Sequence, residues 1–202
     1  MNLGLMKRRI AQDDLLYDAE IEYLQSTGTQ WIDIAVLANK LSKVEVKCKW
    51  TPVNVKRILS TKTESWANQF EILGGTNNRI IFRFGSGTRR QREYTLKNTS
   101  DWHVLYMDAT KATVDGENST GSYSDINIDN PYSVVLFAGG GDIRGGCRSS
   151  LLLVYVKFYD NDNLVRDLIP VRKGNIGYMY DKVSDQLFGN GGTGKFILGA
   201  DK

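Results

Sequence analysis

The segment from Lys43 to Trp50 shows a regular alternation of polar and apolar side chains. Its apolar positions are Val44, Val46, Cys48 and Trp50, and its polar positions are Lys43, Glu45, Lys47 and Lys49. A period of two places alternate side chains on opposite faces of a β-strand, so one face is dry and the other faces water. Cys48 falls on the dry face, where we expect it to be a small buried hydrophobe.

Residues 151–170 predict two further strands joined by a turn. The apolar run that opens this segment is typical of a strand covered on both faces. The chain then turns at Asp160–Asn163, where Asn161 and Asn163 tolerate a left-handed backbone. Pro170 has no N–H to donate to a ladder, so we expect its strand to end there or to lie at a sheet edge.

Turn residues recur at short intervals along the rest of the chain, and no helical period persists beyond the first 19 residues. Residues 70–73 and 79–84 are predicted to pair across a glycine-rich turn, and Asp115–Gly116 is a strong two-residue hairpin turn. This pattern predicts an all-β sandwich of two packed antiparallel sheets. The predicted core contains Val44, Val46, Trp50, Phe82, Phe84, Leu136, Leu153 and Phe158.

The chain of 202 residues is long enough for one domain with a substantial core. We divide it into an N-terminal arm, residues 1–19, and a β-sandwich domain, residues 20–202. The arm mixes apolar and basic side chains and has no place in the strand pattern. Its candidate assembly contacts are Leu3, Leu5, Met6, Lys7, Arg8, Arg9 and Ile10.

Composition excludes several classes of function. The 26 basic and 23 acidic side chains give a formal net charge of +3, which is too small to indicate nucleic-acid binding. No apolar run is long enough to cross a bilayer, so we expect no membrane partner. The first residues lack the apolar region of a signal peptide, which predicts synthesis in a cytoplasm. Two cysteines, Cys48 and Cys147, do not make a disulfide framework.

Three features of the sequence could carry chemistry, and none of them is expected to do so. Gly189–Lys195 matches the spacing of a phosphate loop, but Phe196 stands where that loop needs Ser or Thr, so the glycines are expected to permit a tight turn. His103, the only histidine, is expected to be packed or surface-facing rather than catalytic. Cys147 has no neighbour in sequence that would lower the pKa of its thiol.

Several segments of the second half resemble a known family. They are Lys157–Asp160, Leu164–Arg172, Gly177–Asp181 and Asn190–Phe196, and Glu22–Asp33 near the start belongs with them. Together they resemble the laminin-G-like, concanavalin A-like lectin/glucanase domains, in the subgroup found in phage virion and gut-bacterial proteins. The resemblance spans roughly residues 20 to 199 and implies a concanavalin A-like jelly roll.

The resemblance also implies which enzymatic and metal sites this chain could carry. Glucanase relatives carry catalytic carboxylates as E-x-D-x-x-E on one strand, and this chain has no such triplet. Glu20 and Glu22 have suitable spacing but lie on the opening strand, so we expect no enzymatic activity. No cofactor is expected; calcium remains an alternative, because some relatives bind it at the sandwich rim and Asp125, Asp129 and Asp142 are predicted in loops.

Two functions remain open. The first is a non-enzymatic structural or attachment protein of a phage virion, whose arm docks on other virion proteins or on copies of itself. The arm could instead fold back along its own domain. The alternative function is a carbohydrate-binding module for bacterial or host surface glycans, because sugars stack on aromatic rings beside polar groups. The candidate glycan-binding residues are Trp66, Asn68, Arg83, Tyr94, Asp142 and Arg144, of which Trp66, Asn68, Arg83 and Tyr94 are expected on one side of the middle strands.

Overall fold

A computed structural model describes residues 16–50, 56–61, 68–86, 90–128, 130–139 and 151–202, apart from the side chains of Trp50, Lys56 and Arg90. The described residues form strands, turns and bends and contain no helix. The strands are β1 Ala19–Glu20, β2 Leu24–Ser26, β3 Ile32–Leu37, β4 Ser42–Trp50, β5 Lys56–Thr61, β6 Gln69–Gly74, β7 Arg79–Gly85, β8 Arg90–Thr95, β9 His103–Met107, β10 Ala112–Val114, β11 Glu117–Asn118, β12 Thr120–Tyr123, β13 Ser133–Leu136, β14 Leu151–Asp160, β15 Asn163–Lys173, β16 Ile176–Asp181, β17 Gln186–Phe188 and β18 Ile197–Leu198.

Within the described ranges, these strands form two antiparallel sheets. The larger sheet has the order β11-β10-β9-β4-β14-β15-β16-β17, with β1 paired to β15 and β2 paired to both β14 and β18. The smaller sheet has the order β12-β8-β7-β6-β5-β13-β3. The predicted all-β, two-sheet antiparallel sandwich is therefore confirmed.

The core lies between the two sheets. Phe70 packs against Phe84 and Phe158 with ring centroids 5.4 and 5.6 Å apart, which joins a strand of the larger sheet to two of the smaller. Burying a side chain of this size stabilises the fold by about 1.5 to 3 kcal/mol. The predicted core residues whose side chains the structure describes are all at most 1% exposed, and Cys48 is fully buried as predicted. The side chain of Trp50 lies outside the described part.

Two hairpins show how local sequence sets the turns. Asp115 and Gly116 have φ values of 52° and 84°, as the predicted two-residue turn requires. The turn between β14 and β15 uses Asn161 and Asp162, with φ of 47° and 67°. Asn163, expected to help in this reversal, is instead the first residue of β15.

The expectation that the strand of Pro170 ends at Pro170 or lies at a sheet edge is wrong. β15 continues to Lys173 and lies between other strands. Its pairing with β14 reaches Leu168, and its pairing with β1 begins at Val171. The Pro170 carbonyl accepts a hydrogen bond from Ile21 N, on the side of β15 that faces β1. Because the N–H and C=O of one residue in an antiparallel strand point to the same neighbour, the N–H that proline lacks would also point to this side. The ladder tolerates proline because it falls where one neighbouring strand replaces another.

The first described residues pack on the sandwich. Tyr17 contacts Tyr180 with ring centroids 4.9 Å apart, and Asp18 N donates to Arg172 O at 2.8 Å. The last residues pair with the same region, since Lys202 N donates to Glu20 O at 3.0 Å. Residues 1–15, which include all seven candidate assembly contacts of the arm, lie outside the described residues.

Candidate functional site

The outer face of the smaller sheet carries a row of paired charges around Arg83. Core residues Phe82 and Phe84 alternate with Arg83, which therefore points away from the core. Arg83 Nη1 donates to Glu71 Oε2 at 3.0 Å, and Arg57 Nε donates to Glu71 Oε1 at 2.6 Å. The Glu71 side chain is only 4% exposed, so these two guanidinium groups replace the water that its carboxylate has lost.

The row continues across β8 towards solvent. Arg83 Nε donates to Gln91 Oε1 at 3.3 Å, and Gln91 donates to Glu93. Glu93 also accepts from Arg79 Nη1 at 2.9 Å. Each carboxylate in this row therefore accepts a hydrogen bond from an arginine.

The structure does not bring all the sequence-predicted glycan residues together. Tyr94 pairs with Ile80, whose side chain is in the core, so Tyr94 and Arg83 lie on opposite faces of the sheet. The expectation that they share one side is wrong. The Asn68 carbonyl accepts a hydrogen bond from Asn130 Nδ2 at 3.1 Å. Trp66, Asp142 and Arg144 lie outside the described residues.

The glycine cluster before β18 has a packing role. A Cβ on Gly191 would lie 2.4 Å from the Trp31 ring, and one on Gly192 would lie 2.0 Å from the Thr29 carbonyl oxygen. Thr193 N donates to the same Thr29 oxygen at 3.1 Å. These glycines allow the loop to lie directly on residues 29–31, as a loop of the fold rather than a phosphate cradle.

His103 is packed, as predicted. Its side chain is buried between Asn98 and Asp115: Nε2 donates to Asn98 O at 2.7 Å, and Nδ1 lies 2.7 Å from Asp115 Oδ2. Of the candidate calcium ligands, Asp125 accepts from Ser86 Oγ at 2.8 Å. Asp129 and Asp142 lie outside the described residues, and within those ranges no group of three His, Cys, Asp or Glu side chains could hold a metal ion.

A pocket that the sequence did not predict lies on the outer face of the larger sheet. It has a volume of about 230 Å³ and is lined by Glu22, Lys47, Trp102, Val154 and Lys202. His103, Leu105 and Met107 of β9 point into the core, so alternation turns the preceding Trp102 outward, where it is 37% exposed. A bulge in β14 between Leu153 and Tyr155 takes Val154 out of the regular pairing, and the Val154 side chain lines the pocket.

Neighbouring side chains hold Trp102 in place. Tyr23 packs against it with ring centroids 6.2 Å apart, and Lys49 Nζ lies 5.8 Å from the indole centroid. A Cβ on Gly199 would lie 2.8 Å from Tyr23 N, so glycine is needed for the segment after β18 to approach Tyr23 so closely.

Hydrogen bonds and charges continue from this pocket along β4. Tyr155, opposite Lys47, donates its hydroxyl to Glu45 Oε1 at 2.9 Å. Burial raises the pKa of the Tyr155 hydroxyl, and the hydrogen bond to Glu45 raises it further, so the phenol remains a donor. The pocket therefore combines an exposed aromatic face with ammonium and carboxylate groups, an arrangement that can bind a polar ligand with one apolar face.

Comparisons with known proteins support the fold. No family model matches the chain, and no curated protein matches it. Among solved structures, domains LG4-5 of the mouse laminin α1 chain match with a TM-score of 0.47 at 11% identity, covering 72% of this chain and 44% of that one. A candidate carbohydrate-binding protein from Bacteroides ovatus matches with a TM-score of 0.60 at 12% identity, covering 89% of this chain and 60% of that one.

A heptameric SAP-like pentraxin from Limulus polyphemus matches with a TM-score of 0.51 at 10% identity, covering 90% of each chain. This chain thus spans less than two thirds of the laminin and Bacteroides proteins. None of these three is a phage protein, and the phage subgroup stays a prediction. The sheet order and the matches to the pentraxin and the Bacteroides protein together identify the architecture: the chain is a concanavalin A-like jelly roll.

Proposed function

We propose that the protein is a lectin-like carbohydrate-binding domain and that the Trp102 pocket binds the sugar. The observation that carries the proposal is a partly exposed indole, packed on Tyr23, in a pocket whose other walls include charged side chains. A pyranose ring has an apolar face that stacks on an aromatic ring and hydroxyls that need hydrogen-bond partners. Glu22 can accept from such hydroxyls, and Lys47 can donate to them.

The fold match to the candidate carbohydrate-binding protein of Bacteroides ovatus supports this proposal. The Arg83 row on the smaller sheet is a weaker candidate, because arginines already engage its carboxylates. Tyr94 is weaker still, since its ring packs at the margin of the core and its hydroxyl donates to Glu117.

The test is Trp102→Ala, measured on a glycan array and then by calorimetry on the glycans retained. Loss of a central tryptophan contact is expected to weaken binding by roughly 2 kcal/mol, or about 30-fold in Kd. Tyr132→Ala is the matched control, because Tyr132 is another aromatic residue, 41% exposed, directly before β13 of the smaller sheet. Equal affinities of the wild type and Trp102→Ala would contradict the proposal, and so would an array without any retained glycan.

We also propose, as the biological setting, that this lectin-like domain is displayed on a phage virion, with the arm as its attachment. The support is the resemblance of the strand segments to the subgroup found in phage virion and gut-bacterial proteins, together with the mixed apolar and basic sequence of residues 3–10. Deleting residues 1–15 keeps the Tyr17 and Asp18 contacts with the sandwich. The truncated protein is expected to fold and to bind glycan but not to join the particle; normal assembly would exclude the arm as the attachment.

A further inference from the structure

The outer face of β9, β4 and β14 interleaves lysines with aromatic rings. Lys49 Nζ lies 5.8 Å from the Trp102 ring, Lys157 Nζ lies 5.6 Å from the Tyr155 ring, and Lys111 Nζ lies 5.4 Å from the Tyr106 ring. The three strands are adjacent, and Tyr106, Glu45 and Lys157 stand opposite one another in register. We name this surface, which follows β4 from Lys49 beside Trp102 to Lys43 beyond Tyr106, the lysine–aromatic strip.

The positive charge of the strip is not cancelled at the Trp102 end. Lys43, at the far end, pairs with Asp162, and Glu45 in the middle faces Lys157 and accepts from Tyr155. Lys47 and Lys49, by contrast, form no ion pair with a carboxylate among the residues that the structure describes. Among the described residues, Glu22 is the only acidic one that lines the pocket, against Lys47 and Lys202.

The strip is longer than one sugar. Six residue steps separate Lys43 from Lys49 within the single strand β4, and an antiparallel strand rises about 3.4 Å per residue, so the strip extends roughly 20 Å. A monosaccharide would cover the Trp102 pocket alone. An extended chain could stack one ring on Trp102 and place others over Tyr155 and Tyr106, with its charges beside Lys47 and Lys49.

We propose that the ligand of the lysine–aromatic strip is an acidic glycan chain, one that carries carboxylate or sulfate groups on stacked pyranose rings. This inference rests on the proposed function, because it assigns the ligand class of the Trp102 pocket. The lysines supply charge complementarity and the rings supply stacking, and each requirement excludes a different competitor. Neutral glycans lack the charge, and acidic polymers without sugar rings at the right spacing lack the stacking partners.

Two matched pairs of polymers test the charge requirement: polygalacturonate with its carboxyl-reduced form, and dextran sulfate with dextran. Affinity electrophoresis and calorimetry on the full chain are expected to show that at least one acidic polymer binds at least tenfold more tightly than its neutral partner. Binding should weaken as NaCl rises from about 0.05 M to about 0.3 M, because screening acts on exposed charges. The variant Lys47→Gln/Lys49→Gln should bind that polymer about tenfold more weakly, as expected when two exposed ion pairs are lost.

The control variant is Lys173→Gln/Lys182→Gln, which removes the same charge from exposed positions at the end of β15 and after β16. It should bind like the wild type, and circular dichroism should show both double variants folded. Equal binding of charged and neutral partners would overturn the acidic-chain inference and leave sugar binding at Trp102 intact, as judged by Trp102→Ala.

Three further outcomes count against the inference. Equal losses in the two double variants would mean that net charge rather than the strip is responsible. Tight binding of single-stranded DNA or polyglutamate would show an unselective polyanion surface. Retention of neither acidic polymer would also overturn it, while a positive neutral glycan array would keep the proposed function.

Discussion

Substitution of Glu71 tests how much a buried carboxylate, paired with two arginines, contributes to the stability of this fold. Its side chain is 4% exposed, and it is bound by Arg83, 15% exposed, and by Arg57, 35% exposed. Removing one partner of a buried ion pair typically destabilises a protein by about 3 to 5 kcal/mol, because the other charge loses its compensation. Since Arg57 can recover hydration from solvent, we expect Glu71→Gln to fall at the low end, about 3 kcal/mol.

For a chain of this size, a loss of about 3 kcal/mol lowers Tm by roughly 6 to 12 °C. Urea denaturation followed by tryptophan fluorescence gives the free energy directly. The matched control is Glu93→Gln, which makes the same change on the same sheet face. Glu93 is 30% exposed and pairs with Arg79, 40% exposed, so its loss should amount to less than about 1 kcal/mol. If Glu71→Gln destabilises the protein no more than Glu93→Gln, burial does not determine how much the Arg57–Glu71–Arg83 group contributes to the free energy of unfolding.

Two other changes test a carboxylate and a close backbone contact. Burial acts to raise the pKa of Asp108, but hydrogen bonds from Thr110, Tyr106 and Lys111 N outweigh it and hold the pKa below 3.8. The Asp108 contribution to stability is therefore present above about pH 4 and lost as pH falls through the lowered folded-state pKa. Urea midpoints of wild type and Asp108→Asn should converge towards pH 2, and a constant gap would contradict this. Gly192→Ala should destabilise the fold by about 1 to 3 kcal/mol or more, because its Cβ would lie 2.0 Å from Thr29 O. Gly189→Ala, whose Cβ would lie 3.3 Å from the Tyr178 ring, should be far milder, and thermal unfolding of the two variants measures the difference.

Local pattern was enough to predict much of the fold. Alternation in β4 correctly separated buried Val44, Val46 and Cys48 from their polar neighbours, because a strand with one dry face has no other periodicity. The Asp115–Gly116 turn was equally predictable, since few dipeptides adopt its left-handed pair of residues. Pro170 was misjudged because the neighbour that replaces β14 at this point is β1, some 150 residues earlier in the chain.

The candidate site was less predictable, because register and long-range pairing decide it. Whether Arg83 and Tyr94 share a face depends on how β7 pairs with β8, and a shift of one residue reverses the answer. The Trp102 pocket draws on segments at residues 22, 47, 102, 154 and 202, which only the completed larger sheet brings together. The one local signal is that Trp102 directly precedes His103. Successive side chains of a strand point to opposite faces, so a packed His103 places the indole of Trp102 on the outer face.

The order of strands in the two sheets also has a kinetic consequence. Strands β5, β6, β7 and β8 are neighbours both in sequence and in the smaller sheet, so this meander closes short loops and can form early. The centre of the larger sheet instead joins β4 to β14, and Glu45 and Tyr155, which meet there, are 110 residues apart. During synthesis, one edge of β4 therefore stays unpaired until β14 is made, whereas every strand of the smaller sheet precedes β14 in the chain. Refolding is expected to be slow, and its rate-limiting step should be sensitive to changes at the β4–β14 pairing rather than within the meander.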